Sequence, residues 1–538
     1  MEDDEEVKEV LSDYYDGVLE RNPHVATVLG VHEHDTEVPS GTPGSVEDEI
    51  DEAKRVRDEL ADLDSYEANL AAASLEYDIF ELDELRIWES NPQAVDGVVS
   101  LIYPLYVREF APLDRRLELI AERLEDCPAY VDELRERVSR PVEIWVESEI
   151  ASCDEIPGLL QLIADQAGDL ERQDVSYRIN DAAEELLDAF EEYRDWLESL
   201  EDEVDSGTAW RVGRERFENL LEKRRLPSGD EVVELAEEEI EDAESRMSRA
   251  IASVEAEEEV TDPREAIEAV EDDHPDSFDS VLDSYAHEIR AARDRTDAVV
   301  PIPENGDVPP DAFEVAATPE HVAPLLPFAG YFEPSPFADE PARYFITEPE
   351  GTGPEALREH NYAEIKETAV SEFYPGHHLQ KVYECERASR TEVLSGAFNS
   401  FGDDFVEGWK GYALETVTEK GYGGDYLELV RAKEDLASAC RAVVDVRLQR
   451  GEMTLRDAAE YLSDELGLEP EHALAEVRSY TESPGYQLSR LVGSKLLSGL
   501  REDALEEGYD EKEFHEEVLG GGGVPVGFHR RRVLGDAY

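Results

Sequence analysis

The stretch Ser371-Glu372-Phe373-Tyr374-Pro375-Gly376-His377-His378-Leu379-Gln380 holds the chain's one pair of adjacent histidines, with a carboxylate just upstream. Its Pro375-Gly376 dipeptide interrupts a helical pattern running from about Tyr362 to Ala388. Proline removes a backbone donor and clashes with the preceding turn, while glycine allows conformations that other residues avoid. The break therefore sets both imidazoles at a new helix start, beside free backbone N–H groups. A kinked core helix with merely hydrogen-bonded histidines is the plainer reading, but packing gives little reason for Glu-x-x-Pro-Gly-His-His. Consecutive helical residues point about 100° apart, so His377 and His378 are not expected to share one ion. One would ligate or polarise, and the other would orient it.

Outward from this stretch the chain reads as mainly α. The expectation is a large multi-helix body with a deep cleft and a short irregular or β segment before the site. Long amphipathic helices fill residues 1–298, with breaks expected near Asn91-Pro92, Pro104, Cys127-Pro128, Arg140-Pro141 and Ile156-Pro157. Residues 299–360 are rich in proline and glycine and carry the best strand signal, Ala342-Arg-Tyr-Phe-Ile-Thr347. They are expected to form a cleft wall. Residues 361–538 return to helices and carry the candidate site, and one continuous domain can also accommodate all three parts. On the helix after the histidines, Glu407, Gly411 and Glu415 fall four apart on one face. On the next, Arg441 and Asp445 fall four apart, most simply as an ion pair. The run Gly520-Gly-Gly-Gly523 lacks the lysine and hydroxyl residue of a phosphate loop. His529-Arg-Arg-Arg532 is the one basic cluster and is expected to anchor internal salt bridges.

The 538 residues carry a net charge of −84, from 134 acidic and 50 basic side chains. Such a charge repels itself in a compact state, and about 1 M salt screens it to a Debye length of roughly 3 Å. A halophilic archaeal source is the best explanation. The same field disfavours nucleic acid and anionic membranes as partners. The acidic start, Met1-Glu-Asp-Asp-Glu-Glu6, lacks the marks of a signal peptide, and no apolar run is long enough to span a bilayer. The expectation is a soluble, cytoplasmic protein. Cys127, Cys153, Cys385 and Cys440 are too scattered for a disulfide framework or a zinc ribbon.

Taken with Glu407-Gly-Trp409-x-x-Tyr412-x-x-Glu415, the run Glu372-x-x-Pro375-Gly376-His377-His378-x-Gln380 resembles the domain-of-unknown-function family numbered 885. Pro23-x-x-Ala26-x-x-Leu29-Gly30, Arg441-x-x-Val444-Asp445, Ser483-Pro484-Gly485 and Phe514-His515-x-x-Val518-Leu519-Gly520 resemble further landmarks in the family's order. The likeness so covers nearly the whole chain. Such proteins look like distant relatives of zinc metallopeptidases of the glutamate-ligand type. The resemblance implies a hydrolase acting on small peptides. Zinc in such a site polarises the scissile carbonyl and lowers the pKa of its water to about 7. By this likeness Glu372 would be the general base, with Tyr412 beside the reaction. His377 or His378 and Glu407 would be the metal ligands, and Asp445, Arg441 and Gln380 would orient them.

The departures point the other way. The family's His-Glu start is Ser371-Glu372 here, and its later histidine is Gln449. Its Pro-Gly-Gln with a following tyrosine reads Pro484-Gly485-Tyr486 with Arg490. The remaining carboxylates would suit manganese or magnesium better than zinc. Two readings stand. Glu372, His377, His378 and Glu407 favour the metallopeptidase-like hydrolase. Ser371, Gln449 and Arg490 favour a catalytically degenerate pseudo-peptidase, without metal, kept as a binding or structural protein.

Overall fold

Many helix starts are written in the sequence by proline and short polar caps. Pro23, Pro43, Pro157 and Pro470 stand in the first turn of their helices, where a missing N–H costs nothing. The side chains of Thr42, Ser65, Asn361 and Thr454 accept hydrogen bonds from the free N–H groups of the helices they open. The computed structural model describes residues 2–63, 65–170, 172–200, 204–205, 207–258, 263–303, 313–349 and 354–535. Parts of the expected cleft wall, residues 304–312 and 350–353, lie outside them. Helices dominate the fold, with a small sheet in the Pro/Gly-rich segment. Among the described residues no helix is long and apolar enough to cross a membrane.

The chain divides into two compact units, Met1–Val212 and Gly213–Tyr538. The composition shift at Ala298 lies inside the second unit, because the Gly229–Glu258 helix packs lengthwise on the Gly424–Gln449 helix. In the first unit two expected breaks are absent. Pro104 lies within the Ala94–Val107 helix and Pro128 within the 25-residue Leu113–Arg137 helix. The stripe Leu117, Leu124, Val131 and Leu134 continues buried through Pro128. Its burial outweighs the roughly 3 kcal/mol that an interior proline costs.

The sheet belongs to the second unit. Strands β1 (Phe313–Ala317), β2 (Ala329–Phe332) and β3 (Ala342–Ile346) are ordered β1-β3-β2. β1 runs parallel to β3 with Val315 opposite Tyr344, and β2 runs antiparallel with Tyr331 opposite Tyr344. The strand signal at 342 becomes the central strand. Tyr344 meets Phe373 edge to face at 5.0 Å, so the sheet packs directly on the stretch before the histidines. The core around it gathers Tyr285, Phe373, Tyr383, Trp409, Tyr412 and Phe514.

Candidate functional site

The histidine motif is a helix that changes pitch, stops and restarts. Tyr362–Thr368 is α-helical, Ala369–Phe373 is a π-helical turn, and a new α-helix runs His377–Arg387. The Tyr374–Pro375 peptide is cis. A Cβ on Gly376 would lie 1.9 Å from the Ser371 carbonyl oxygen, so only glycine lets the chain fold back this closely. The wider π turn matters for what faces the site. Residues five apart diverge by about 140° on an α-helix, and the extra residue per turn brings Glu367 and Glu372 much nearer one face.

Two crossing helices complete the arrangement. Asp403–Glu419 and Ser489–Glu506 approach through Gly408 and Gly493, where a Cβ on Gly493 would lie 1.7 Å from the Asp404 carbonyl oxygen. Lys410 and Arg490 lie within a turn of that crossing. Phe405, Trp409 and Tyr412 take the inner face of the first helix, which leaves Glu407, Lys410 and Gly411 only partly buried. The Trp409 indole donates to the Pro375 carbonyl at 2.7 Å, tying this helix to the turn of the motif.

At the centre the Lys410 ammonium donates to the Glu372 carboxylate. Burial pushes the Glu372 carboxyl up, but Lys410, with His377 and Arg490 beyond, overcomes it and holds the group below its ordinary range. Burial likewise pushes Lys410 down, and Glu372 and Glu367 more than offset it. A second pair of opposite charges stays apart. Glu367 is only 9 % exposed, and its Oε1 has no hydrogen-bond partner among the described residues. The Arg490 guanidinium donates from Nη1 to Glu434 at 3.3 Å, while its Nε and Nη2 have no partner there. A cavity of about 30 Å³ adjoins Arg490, lined among others by Gly411, Glu415, Asp435, Ser438 and Lys495.

The residues expected at a metal centre are dispersed among other tasks. His378 is fully buried, its Nδ1 at 3.1 Å from the Tyr331 hydroxyl of β2. Partly exposed His377 has Nδ1 at 3.2 Å from the side-chain oxygen of Gln380. Glu407 accepts from the Tyr486 hydroxyl at 3.3 Å. Tyr412 is turned into the core, its hydroxyl 2.6 Å from His515 Nε2. His515 Nδ1 faces the Val299 carbonyl at 3.0 Å, which can only accept, so Nδ1 carries the proton and Tyr412 donates. Tyr412→Phe is therefore expected to cost about 1 kcal/mol of stability, measured by urea denaturation, through a lost core hydrogen bond.

The expected Arg441–Asp445 pair is not formed. Arg441 donates to Glu476 at 2.7 Å on a neighbouring helix. Fully buried Asp445 instead accepts the backbone N–H groups of Gly485 and Gln487 at 3.1 and 3.0 Å. It holds the Ser483-Pro484-Gly485 turn, and Gln449 bonds the Tyr480 carbonyl at 2.9 Å just before it. Burial, opposed by those two backbone donors, pushes the Asp445 carboxyl up to about 7. A raised carboxyl pKa means that the folded chain keeps a proton the unfolded chain has released. Its stability is present below pH about 4 and is lost as pH rises through about 7. In Asp445→Asn the fall of melting temperature between pH 5 and 8 should flatten, as read by calorimetry.

The donor set present does not fit a metal. Among the described residues no three His, Cys, Asp or Glu side chains converge to hold one. A dication beside Glu372 would also meet the Lys410 ammonium. Ser371, where the resemblance led to the expectation of a histidine, is wholly buried and too short to reach out. Lys410 is the residue the motif reading passed over, and Arg490 entered it only as a departure from the family pattern. Lys410 carried a signal, as one of the few lysines in the chain and set between Trp409 and Gly411 of the motif. The scattered cysteines are free, and half-buried Cys385 is pushed up to about 12, chiefly by burial, which makes it a poor nucleophile.

Fold and site together define a mainly helical protein whose histidine motif is closed by an ion pair. The chain belongs to the family described as bacterial protein of unknown function, DUF885, which it matches over residues 23–533. A structure from Colwellia psychrerythraea superposes with a TM-score of 0.80 at 16% identity, covering 99% of each chain. One from Shewanella oneidensis gives 0.77 at 20% identity, covering 98% of this chain and 99% of that one. Both are described as candidate lipoproteins, the second expressly of unknown function. No curated protein matches the chain. The cytoplasmic expectation is corrected by this finding. The same fold is carried by proteins described as candidate lipoproteins, and an acidic start does not decide location.

Proposed function

We propose that the chain is a degenerate relative of metal-dependent peptidases, kept as a binding protein for a small polar ligand. The Lys410–Glu372 ion pair supports this reading above all. A general base must be free to take a proton from water, and here the carboxylate is engaged by a neighbouring ammonium. Partly buried cations and carboxylates with unused hydrogen-bonding capacity are the means of holding a small polar molecule. Incubation with a mixed peptide library in molar KCl, with zinc or manganese added, is expected to give no cleavage. Cleavage that disappears in Glu372→Gln would overturn the reading.

The net charge of −84 supports a second part of the proposal, a halophilic archaeal source and surroundings of molar salt. The basic residues are largely spent on local pairs, such as Arg530 with Asp503 and Arg532 with Glu392, each at 2.7 Å. The remaining acid repels itself until salt screens it. Raising KCl from 0.1 M to 3 M should lift the melting temperature by roughly 10 °C, equivalent to a few kcal/mol. A flat or falling dependence would remove this part alone.

A further inference from the structure

The turn at 483–488 hangs on a buried cation that has a second claimant. Arg224 follows the Arg214–Lys223 helix and is wholly buried. Its Nη1 donates to the Gly485 carbonyl at 2.6 Å and its Nη2 to the Ser489 hydroxyl at 2.9 Å. The same Nη2 stands 4.0 Å from Asp404 Oδ1, too far for a hydrogen bond. Asp404 is wholly buried as well. Its Oδ2 accepts the Val526 N–H at 2.9 Å, while its Oδ1 has no hydrogen-bond partner among the described residues. An ionised carboxylate with one oxygen left open in the core is costly, and a proton on Asp404 removes that charge.

The other charges around this cluster are engaged elsewhere or add to its negative side. Asp403 puts a second carboxyl next to Asp404. Arg441 and Arg450, on the helix of Asp445, turn to Glu476 and to Asp230 with Glu218. Arg225 lies over the Phe528 ring at 4.6 Å, and Arg490 reaches Glu434. His529 lies 3.9 Å from the Phe405 ring centre, and burial drives it down to about 3, so it stays neutral.

We propose that Arg224 is a proton-operated latch: it holds the turn while Asp404 is protonated, and it turns to Asp404 when that proton leaves for bulk water. Closing the 4.0 Å separation to a charge-assisted bond takes about 1 Å of travel. Ser489, whose hydroxyl lies 3.4 Å from the Gly485 carbonyl, then takes over that acceptor. Burial pushes the Asp404 carboxyl up to about 6 against the pull of Arg224, which places the change near that pH. The stability held by the proton is present below pH about 4 and is lost as pH rises through about 6. Asp445 does not supply the loosening. Once ionised it costs the fold through burial, but it grips the N–H groups of Gly485 and Gln487 harder. Tyr486 on the turn donates to Glu407 at 3.3 Å, so a freed turn also loosens the outer edge of the motif.

This inference is independent of what the motif binds. Hydrogen exchange read by mass spectrometry tests it, on the full chain in molar KCl at pH 5 and pH 8, with the intrinsic rates divided out. Peptides covering 483–488 should lose roughly tenfold in protection at pH 8, while those covering the Leu455–Leu466 helix keep theirs. Asp404→Asn, which cannot ionise, should keep the pH 5 protection at both pH values. Arg224→Lys, which cannot span two acceptors, should show the loosened turn already at pH 5. Circular dichroism checks that each variant is folded. A pH response that survives in Asp404→Asn belongs to another group and overturns the proposal. So does a wild-type loss shared equally by both segments, or no loss at all, and those two outcomes need no variant.

Discussion

Glu372→Gln is expected to destabilise the protein by about 2–3 kcal/mol, the low end of what breaking a buried ion pair costs. The discount reflects side chains that remain 21% and 22% exposed, so water softens the loss. The glutamine leaves the Lys410 ammonium beside Glu367 alone, without the carboxylate that holds it protonated against burial. Lys410→Met should cost a similar amount by stranding Glu372. The double variant should cost less than the sum of the two, because an uncharged pair of like size strands no charge. Chemical denaturation at fixed KCl reads all three. A catalytic base waiting in an open site behaves differently. Its replacement by glutamine removes activity and leaves stability level or higher.

Among the described glycines, Gly493→Ala should be the most damaging added methyl. The added Cβ would lie 1.7 Å from the Asp404 carbonyl oxygen and 2.9 Å from the Gly408 Cα, both backbone atoms that cannot step aside. The two helices must part, and the crossing that sets Lys410 and Arg490 side by side opens with them. A loss of at least about 3 kcal/mol is expected, with ligand binding lost in step. Gly499→Ala, six residues on in the same helix, is the control. Nothing lies within 4 Å of its added Cβ, and it should gain up to about 1 kcal/mol from helix propensity. Equal effects at the two glycines would show that the crossing is not close-packed.

The helical class, the break at Pro375-Gly376 and the strand at 342 were legible because each rests on local chemistry: periodicity, a missing donor, β-branched and aromatic residues. The π turn was not, since α and π helices draw on the same residues and differ only in which carbonyl each N–H meets. Nor was the Lys410–Glu372 pair, whose members stand 38 residues apart and meet only after two helices cross. Arg441 and Asp445 had the spacing of an intrahelical pair, but that rule speaks only of residues sharing a face. Asp445 faces the buried Gly485 turn, and Arg441 faces Glu476. Pro128 obeyed a cost rule that a longer buried stripe overrode. The motif's identity was in the sequence. What the motif now does depends on the two cations that the fold brings to it.

Metal content by plasma mass spectrometry is the most direct test. Untagged protein purified in molar KCl should be compared with a His377→Ala/His378→Ala variant, so that loose binding to the acidic surface cancels. The account predicts the same trace, well below one atom per chain, in both proteins. One zinc or manganese per wild-type chain, lost in the variant, would contradict it and restore the metallopeptidase reading.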